Sequence, residues 1–469
     1  ILALRSKVYG DSGAYVRTHG GIVPCSTAAL LPGPYRIPNY QCTVHCVMTN
    51  KTGMGTLRAP GRYESCFFRE RLLDMMAGDL KIDPVELRLK NMLRPEELPY
   101  EVGVTRPGNN PTILDSGDYP SALRRALKEF DYDNLKSLQG CFENGKYHGI
   151  GLACFVKNTG GFEPYEGARV VIGEQGNVAV YLSLSTLGQS HETTMAQICA
   201  DTLGVPIDRI SVIHGNTDLT PFGWGTFASR GTVMGGNALY LAAGQLKEKI
   251  LAFAGNHLKV KPADLEFRDG MVYRKGTESP LLSLGEIVSL ARHSGMADLG
   301  KPELDHTAYF NSNKLTHSYG AHLAHLTVDP ETGFVEILKY LVVEDIGRCI
   351  NPLIVHGQTV GAAVQGLGGT FLEQLVYGEN GQLMTTTLMD YLLPTSTDVP
   401  SIDSVILEEV PSPLNPLGVK GAGEGGIVGT GAAPANALSN ALASLGVEIR
   451  ELPLTPDHIR KWIRERQTK

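Results

Sequence analysis

Three glycine-rich passages carry the residues of this chain that could take part in chemistry. In residues 418–426, GVKGAGEGG, a single carboxylate, Glu424, lies among residues with small side chains. Such a carboxylate either accepts hydrogen bonds from nearby backbone N–H groups or faces a reaction centre that the backbone approaches closely. The spacing alone supports both interpretations equally.

A second passage, residues 187–192 (LGQSHE), follows a predicted strand and precedes a predicted helix. Backbone N–H groups at the start of a helix can bind an anion. The amide of Gln189 can both donate and accept hydrogen bonds, and Ser190 can cap the helix. An ordinary junction between a strand and a helix has the same pattern, so this passage alone does not establish a binding site.

The third passage, residues 215–231, has the sequence GNTDLTPFGWGTFASRG. Hydroxyl groups, small residues and Arg230 in one segment suit a phosphate, because the donors can surround it and a guanidinium can bind it through two parallel hydrogen bonds. A purely structural loop is the alternative. The chain contains neither GxxxxGK[ST] nor a strand-linked GxGxxG motif, which argues against a P-loop and a Rossmann site.

Other catalytic motifs are absent from the sequence. The thirteen histidines form no HExxH or HxxxH pair, the eight cysteines form no CxxC pair, and there is no GxSxG elbow. Iron–sulfur clusters are therefore not expected within this chain. Cys42 and Cys46 fall on one face of a predicted strand and are interpreted as packing residues.

Composition limits the class of protein. The 469 residues are 42% hydrophobic and 19% charged, which is typical of a globular chain with a sizeable core. The net charge of −7 argues against nucleic acid or an acidic membrane surface as a partner. No apolar run approaches the ~20 residues of a membrane span, and the strand-like start at Ile1 has neither the basic nor the apolar segment of a signal peptide. A cytoplasmic location is expected.

The elements that would position these passages fall into two regions. Alternation predicts a strand over residues 40–48, and helical spacing follows Gly61. Asp83-Pro84 supplies the N-cap and the first-turn proline of a further helix. The polar stretch 94–118, rich in proline and glycine, is the predicted linker, so we predict two domains, residues 1–112 and 113–469.

The second region contains a repeated pattern. Strands on either side of a turn at residues 174–177 precede Gly188 and a helix, and strands around the turn at residues 330–333 precede Asn351-Pro352 and another helix. We interpret these as a duplicated β-hairpin-plus-helix unit in an α+β fold. Two unrelated hairpins are the alternative, since such turns are common.

Taken together, these motifs resemble the molybdenum-cofactor subunit of the molybdenum hydroxylases, the family of xanthine oxidase, aldehyde oxidoreductase and aerobic carbon monoxide dehydrogenase. The resemblance extends over nearly the whole chain. The matched segments are 35–39 (YRIPN), 56–61 (TLRAPG), 188–189 (GQ), 215–218 (GNTD), 225–230 (GTFASR), 364–366 (VQG) and 421–424 (GAGE). It implies two elongated, mixed α/β molybdopterin-binding domains.

The resemblance also implies a cofactor and its contacts. Molybdenum would be held by the dithiolene of a molybdopterin cytosine dinucleotide, with no protein ligand to the metal. Glu424 matches the family's catalytic glutamate, the base in a hydroxylation that takes its oxygen from water. The matched cofactor-binding positions are Arg58, Gly188, Gln189, Thr226, Phe227, Ala228, Ser229, Arg230, Gly231, Gln365, Gly421 and Gly423.

Partners follow from the same resemblance. Two electrons leave the family's molybdenum centre through 2Fe–2S clusters to FAD, which are expected here on partner subunits. Family members carry a further glycine-rich loop ahead of the part that corresponds to Ile1, so a second molybdopterin-binding chain is also expected. Ser190 lies where many members have glycine, which is a departure from the family pattern.

Three positions matched to the substrate pocket bear on specificity. Ser26 lies where purine-oxidising members carry an arginine, so a charge-assisted hydrogen bond to an anionic purine would be lost. Leu57 and Leu152 replace phenylalanines that sandwich flat rings. We therefore expect a neutral or weakly polar N-heteroaromatic substrate, hydroxylated beside the ring nitrogen, with an aldehyde as the alternative.

Two alternative functions compete with that of a molybdenum hydroxylase subunit. A non-catalytic binding subunit could keep the fold without the chemistry, but the retention of Glu424, both glutamines and the Ser229-Arg230 pair argues against it. A phosphate-ester hydrolase would need metal ligands that the sequence does not offer.

Overall fold

The structure is a computed structural model that describes residues 1–17, 19–106, 110–159, 165–293 and 304–467. Helices and strands are mixed throughout, which confirms the predicted α+β class. In chain order the elements are β1 (Ala3–Asp11), α1 (Ile22–Leu30), β2 (Asn39–Val47), α2 (Arg62–Leu80), α3 (Pro84–Asn91), β3 (Tyr100–Arg106), β4 (Asn110–Leu114), α4 (Tyr119–Phe130), α5 (Tyr132–Leu135), β5 (Phe142–Glu143), β6 (Lys146–Thr159), β7 (Tyr165–Ile172), β8 (Val178–Leu182), α6 (His191–Cys199), β9 (Ile210–Ile213), α7 (Asn237–Leu258), β10 (Leu265–Arg268), β11 (Met271–Arg274), β12 (Pro280–Ser283), α8 (Leu284–His293), β13 (Asp305–Asn311), β14 (Thr316–Val328), β15 (Val335–Asp345), α9 (Pro352–Phe371), β16 (Ile402–Leu407), α10 (Gly425–Val428), α11 (Ala432–Ala441) and α12 (Pro456–Gln467).

The N-terminal elements follow the local signals of the sequence. The predicted strand over residues 40–48 is β2, which pairs in parallel with β1. α2 begins after Gly61, whose φ of +80° is a conformation that glycine adopts at little cost. α3 begins where the Asp83 carboxylate accepts hydrogen bonds from the N–H groups of Val85 and Glu86, as the N-cap prediction requires.

The predicted repeat is present, with one copy in each of the two large sheets. In the first copy, the hairpin β7–β8 is followed by α6 and then by β9, which pairs with β8 in parallel. In the second, the hairpin β14–β15 is followed by α9 and then by β16, parallel to β15. The sheet orders are β13-β7-β8-β9 and β16-β15-β14-β6-β5. Each copy is therefore a ββαβ unit.

Three groups of buried apolar side chains hold these layers together. The first packs the four-stranded sheet against α6 and α7. The second lies between the five-stranded sheet and α9, α11 and α12, and the third covers the opposite face with α2, α3 and α4. Residues from both sides of position 112 share cores, as Phe67 and Phe155 do. The division into domains 1–112 and 113–469 therefore stays a prediction.

Candidate active site

The carboxylate of Glu424 is held by groups from three separate parts of the chain. Its Oε1 accepts a hydrogen bond from the backbone N–H of Ala59 at 2.9 Å, and its Oε2 accepts one from the Ser229 hydroxyl at 2.7 Å. The Nζ of Lys157 lies 2.5 Å from the same Oε2. These three contacts fix the carboxylate in place. The Glu424 side chain is still 12% exposed, so it is not sealed inside the core.

Lys157 reaches Glu424 because of its register in β6. Along this strand Ala153 and Phe155 face the second core, while Leu152 and Cys154 face the third. Side chains alternate between the faces of a strand, so Lys157 lies on the face of Phe155. Its role could not be inferred from the sequence, since a lysine that follows an apolar run near the end of a strand carries no local motif.

The Lys157 ammonium is fully buried and has a partner for each of its three N–H bonds. Besides Glu424, it donates to the carbonyl oxygen of Ala228 at 2.9 Å and to the Thr159 hydroxyl at 3.1 Å. Burial lowers the pKa of Lys157 to about 8, and the charge of Arg62 acts in the same direction, although pairing with Glu424 opposes both.

Opposing causes also act on Glu424. Burial raises the pKa of this carboxyl group, but the positive charges of Lys157 and Arg62 and the hydrogen bond from Ser229 lower it to about 2. The charges prevail over burial because the nearest one is in direct contact. Glu424 is therefore ionised at neutral pH, as a general base must be.

Arg58 anchors the loop that carries Glu424. Its Nε donates to the carbonyl oxygen of Gly423 at 2.7 Å, and its Nη2 donates to the side-chain oxygen of Gln358 at 3.1 Å. Burial lowers the pKa of the guanidinium, and the charges of Glu424 and Glu344 oppose that shift. The matched TLRAPG segment thus contributes the side chain of Arg58 and the N–H of Ala59 to the site.

Steric contacts explain the glycines on both sides of Glu424. A Cβ at Gly421 would lie 2.3 Å from the Thr159 methyl group and 2.6 Å from the Ser229 carbonyl oxygen. A Cβ at Gly425 would lie 1.9 Å from Oε2 of Glu344. Any larger residue would push the loop away, so the glycines allow close packing of the backbone.

The three glycine-rich passages meet around one cavity of about 420 Å³. The passages 187–192 and 215–231 form part of its wall, and the loop before α10 forms another part. Of the predicted residues, those that line it are Arg58, Gly188, Gln189, Thr226, Phe227, Ala228, Ser229, Gly231, Gly421, Gly423 and Glu424.

Arg230 pairs with a buried carboxylate. Its guanidinium is completely buried and pairs with Glu166, which also accepts hydrogen bonds from the N–H groups of Trp224 and Gly225. The side chain therefore stabilises its own loop from behind and does not line the cavity. Its guanidinium is thus not placed to clamp a phosphate in this cavity, and its assignment to the cofactor stays a prediction.

Gln365 is also not among the cavity residues. It lies on α9 seven residues after Gln358, about 10 Å further along the helix axis. Gln358 lines the cavity and is bonded to Arg58. The structure thus brings a different glutamine to the site, and Gln358 is a residue that sequence reasoning missed.

The three predicted substrate-pocket residues lie elsewhere. Leu152 is 2% exposed and packs in the third core, because it is an odd number of positions from Lys157 on β6 and faces the other way. Leu57 is 63% exposed, and Ser26 lies on α1 against Gly61. None of them borders this cavity.

Ser190 and Lys420 are two further polar residues of the glycine-rich passages. Ser190 has a φ of +56°, the left-handed region where glycine fits best, and its side chain makes no cap hydrogen bond. Lys420, the lysine closest to Glu424 in the sequence, points away from it to Asp345, at 3.6 Å. The lysine that pairs with Glu424 is Lys157.

A second buried carboxyl group, Glu344, lies behind the loop that carries Glu424 and was also missed by sequence reasoning. Its Oε1 accepts a hydrogen bond from the Thr359 hydroxyl at 2.5 Å, while Oε2 has no hydrogen-bond partner among the described residues. Burial raises the pKa of Glu344 to about 7, although Thr359, Arg58 and Lys157 oppose the shift. In β15 it follows four apolar residues and gives no sign of being functional.

Two family profiles match this chain, both described as molybdopterin cofactor-binding domains. One covers residues 125–400 and the other residues 1–92. The chain therefore belongs to this family, that of the large subunits of molybdenum hydroxylases, which confirms the resemblance inferred from the motifs.

The chain is similar over nearly its whole length to subunits of several characterised enzymes. Over 98% of its length the chain is 38% identical to the 6-hydroxypseudooxynicotine dehydrogenase complex subunit gamma of Paenarthrobacter nicotinovorans and 33% identical to the nicotine 6-hydroxylase large subunit of the same organism. It spans 58% and 57% of these relatives. The crystal structure of quinoline 2-oxidoreductase from Pseudomonas putida 86 is 34% identical, with a TM-score of 0.91 over 99% of this chain and 60% of that one.

The cavity suits an organic cofactor bound by hydrogen bonds. In the described part of the chain, no group of three or more histidine, cysteine, aspartate or glutamate side chains could hold a metal ion. The walls instead offer backbone groups of closely packed glycines and the amides of Gln189 and Gln358.

Among the described helices, none is long and apolar enough to cross a membrane.

Proposed function

We propose that this chain is the molybdenum-binding subunit of a hydroxylase that places a water-derived oxygen on an electron-poor C–H carbon of an N-heteroaromatic substrate. The observation that carries the proposal is an ionised carboxylate, Glu424, on the wall of a cavity lined by glycine-rich loops, oriented by Lys157, Ser229 and the N–H of Ala59. A fixed carboxylate of this kind can remove a proton as the substrate is attacked.

The proposed cofactor is molybdenum with molybdopterin cytosine dinucleotide, bound in the cavity through Gln189, Gln358, Arg58 and the glycine loops. When bound, the cofactor supplies the two-electron oxidation and the place where the substrate reacts. The neutral amides suit the polar edges of a pterin, and the backbone at Gly231, where a helical segment begins, suits a phosphate. Arg230 takes no part in this proposal because its charge is already paired.

The chain's own residues act on the proton and its surroundings. Glu424 accepts a proton from the water-derived group that attacks the substrate carbon. Ser229 and Ala59 fix the two carboxylate oxygens, so little reorganisation precedes the transfer. Arg58 holds the loop through Gly423, which keeps Glu424 at the cavity.

Replacing Glu424 with Gln tests the base directly, because it keeps the side-chain volume and removes the negative charge. In the assembled complex we expect unchanged molybdenum content and a fall in kcat of ~10²–10⁴-fold, the usual contribution of a general base. The control is Glu379→Gln, a substitution of an exposed glutamate. Near-normal turnover in Glu424→Gln with normal molybdenum content would reject the assigned role.

The substrate proposal is supported by the relatives named for nicotine and quinoline, which are N-heteroaromatic compounds. Ser26, Leu57 and Leu152 no longer support it, since they do not border the cavity. The test is a panel of pyridines, quinolines, xanthine and aldehydes with an artificial electron acceptor. Turnover of aldehydes alone would favour the alternative, an aldehyde oxidoreductase.

We further propose a second molybdopterin-binding chain or segment, a 2Fe–2S subunit and an FAD subunit as partners, in the cytoplasm. β1 and β2 form a two-stranded parallel sheet, although parallel sheets are normally covered on both faces. Leu2, Tyr9, Tyr15, Val16 and Met48 are exposed on or beside it. Apolar exposure of this extent is typical of an interface.

Co-purification tests the partner proposal. Tyr9→Ser should weaken recovery of a partner polypeptide, whereas Phe334→Ser, which changes an equally exposed residue in the turn between β14 and β15, should not. The chain expressed alone should lack cofactor or be insoluble. A fully active single chain would exclude an obligatory partner.

A further inference from the structure

We propose that Lys157 is the proton acceptor behind Glu424, so that the two side chains work as one base. This inference rests on the proposed function, because it concerns the proton that Glu424 removes. In the step, the O–H bond newly formed at Oε2 of Glu424 breaks, and the lone pair of a neutral Lys157 amine forms an N–H bond. Glu424 returns to a carboxylate, and Lys157 becomes an ammonium.

The geometry allows this transfer without any movement of the chain. Nζ of Lys157 and Oε2 of Glu424 are 2.5 Å apart, a distance over which a proton can pass directly. The other two hydrogen-bond partners, the Ala228 carbonyl oxygen and the Thr159 hydroxyl, fix the amine nitrogen. Glu424 borders the cavity while Lys157 is fully buried, so the proton leaves the cavity side and is stored behind it.

Proton affinities support the same direction. A carboxylate with a pKa of about 2 is a weak base at neutral pH, whereas an amine with a pKa of about 8 holds a proton there. The state able to accept a proton is therefore the one in which Glu424 is ionised and Lys157 is neutral. Loss of the ammonium charge also makes Glu424 itself more basic, since that charge is a main cause of its low pKa.

The other charged groups around the pair come from three places, namely α2, the loop before α2 and β15. Arg62 on α2 lowers the pKa of both Lys157 and Glu424, and Arg58 lies beside Glu424 in the loop before α2. Glu344 on β15 favours the ammonium form of Lys157. Glu424 is in direct contact with Nζ, so the pair titrates mainly through that contact.

The consequence is a pH dependence set by the lysine. If the neutral amine is required, kcat should rise roughly 50-fold between pH 6 and pH 8, as expected for one group that titrates near pH 8. In Lys157→Met the inflection near pH 8 should vanish, and kcat should change less than about twofold over the same range. A residue that only supported the fold would lower kcat without removing the inflection.

The experiment uses the assembled complex with Lys157→Met, Glu424→Gln and the unmodified chain, each measured for kcat against pH and for molybdenum content. Lys157→Gln serves as the second variant, because its amide can still donate to Ala228 if the methionine variant does not fold. Retention of the inflection near pH 8 in a lysine variant that carries normal molybdenum would overturn the inference.

A second measurement needs no turnover. The infrared band of protonated Glu424, identified by subtracting the spectrum of Glu424→Gln, should titrate at higher pH in Lys157→Met than in the unmodified chain. An unchanged titration would also overturn the inference. The two proposals fail separately: full activity of Glu424→Gln removes the base itself, whereas an inactive Glu424→Gln with an unaltered pH profile in Lys157→Met removes only the role of the lysine.

Discussion

Substitution of Glu344 by Gln should change the stability of the chain in a way that depends on pH. Glu344 is fully buried behind the loop that carries Glu424, with Oε1 hydrogen-bonded to Thr359 and Oε2 against the backbone at Gly425. Gln has nearly the same volume and keeps an oxygen for the Thr359 hydroxyl, but it cannot ionise. The pH-dependent part of its effect therefore isolates the ionisation of this one carboxyl group.

The magnitude follows from the raised pKa. Burial raises the pKa of Glu344 from 4.5 to about 7, so the folded chain binds this proton more tightly than the unfolded chain. The stability that protonation contributes is complete below pH 4.5 and is lost as the pH rises to about 7. Linkage over this shift amounts to about 2.5 kcal/mol between pH 5 and pH 8. Glu344→Gln should remove that loss.

Urea unfolding of the full chain at pH 5 and pH 8 measures this difference. We compare the free energy of unfolding of Glu344→Gln with that of the unmodified chain at each pH. This difference should shift in favour of the variant by about 2.5 kcal/mol from pH 5 to pH 8, whatever the pH-independent effect of the substitution. Glu379→Gln, at an exposed site, should show the same stability difference at both pH values. An equal effect of Glu344→Gln at both pH values would refute the reasoning that burial raises the pKa of this carboxyl group.

Three further predictions concern the loops and the cofactor. Gly421→Ala places a Cβ 2.3 Å from the methyl group of the buried Thr159 and should lower the molybdenum content of the complex. The control Gly361→Ala, in open space on α9, should leave that content unchanged, and equal molybdenum contents in the two variants would contradict the steric argument. Gln358→Ala should reduce the nucleotide released by acid hydrolysis more than Gln365→Ala does, and the opposite order would restore the original assignment. Arg230→Met leaves a buried carboxylate unpaired and should lower the free energy of unfolding by roughly 3–5 kcal/mol in urea titrations; a loss below about 1 kcal/mol would show that the pair is not needed.

Local chemistry made much of the fold predictable. The N-cap at Asp83, the turns of the two hairpins and the helix that follows Asn351 each depend on residues close together in the sequence. Such signals have a direct physical cause in capping and turn geometry. The glycine passages were equally visible, because close approach of the backbone restricts the residue type at each position.

The groups that tune Glu424 were not predictable in the same way. Lys157 and Glu344 each follow a run of mostly apolar residues within a strand, and a charged residue there has no local pattern that indicates its role. Their roles depend on contacts with residues far away in the chain. Sequence alone indicates only that a buried charge needs a partner, and it does not identify that partner.

The differences between the predicted site and the cavity lining arise from side-chain direction. Arg230 has a suitable chemistry and lies in a loop that borders the cavity, yet its guanidinium turns inward to Glu166. Leu152 was matched by position to the substrate pocket, but the alternation of β6 directs it into the third core. A motif match gives the place of a residue along the chain, whereas its strand register or burial decides which way it faces.

The duplicated unit explains why residues so distant in sequence form one site. β8 and β15 occupy equivalent places in the two ββαβ units, and the connections that follow them both border the cavity, through Gly188 and Gln189 after β8 and through Arg348 and Asn351 after β15. In open α/β sheets, ligands bind beyond the carboxyl ends of the strands, where the connections to the helices begin.

Glu424 completes the site from outside both units. Its three hydrogen-bonding or ionic partners come from the loop before α2, from β6 and from the loop before α7, and the contact with Ala59 joins residues 365 positions apart. Because an ionised carboxylate at a largely buried position is costly without these partners, its charge is stabilised only when all of the segments have assembled. The ionised form of Glu424 and the fold around the cavity therefore depend on each other, which is why no single segment of the sequence shows the whole site.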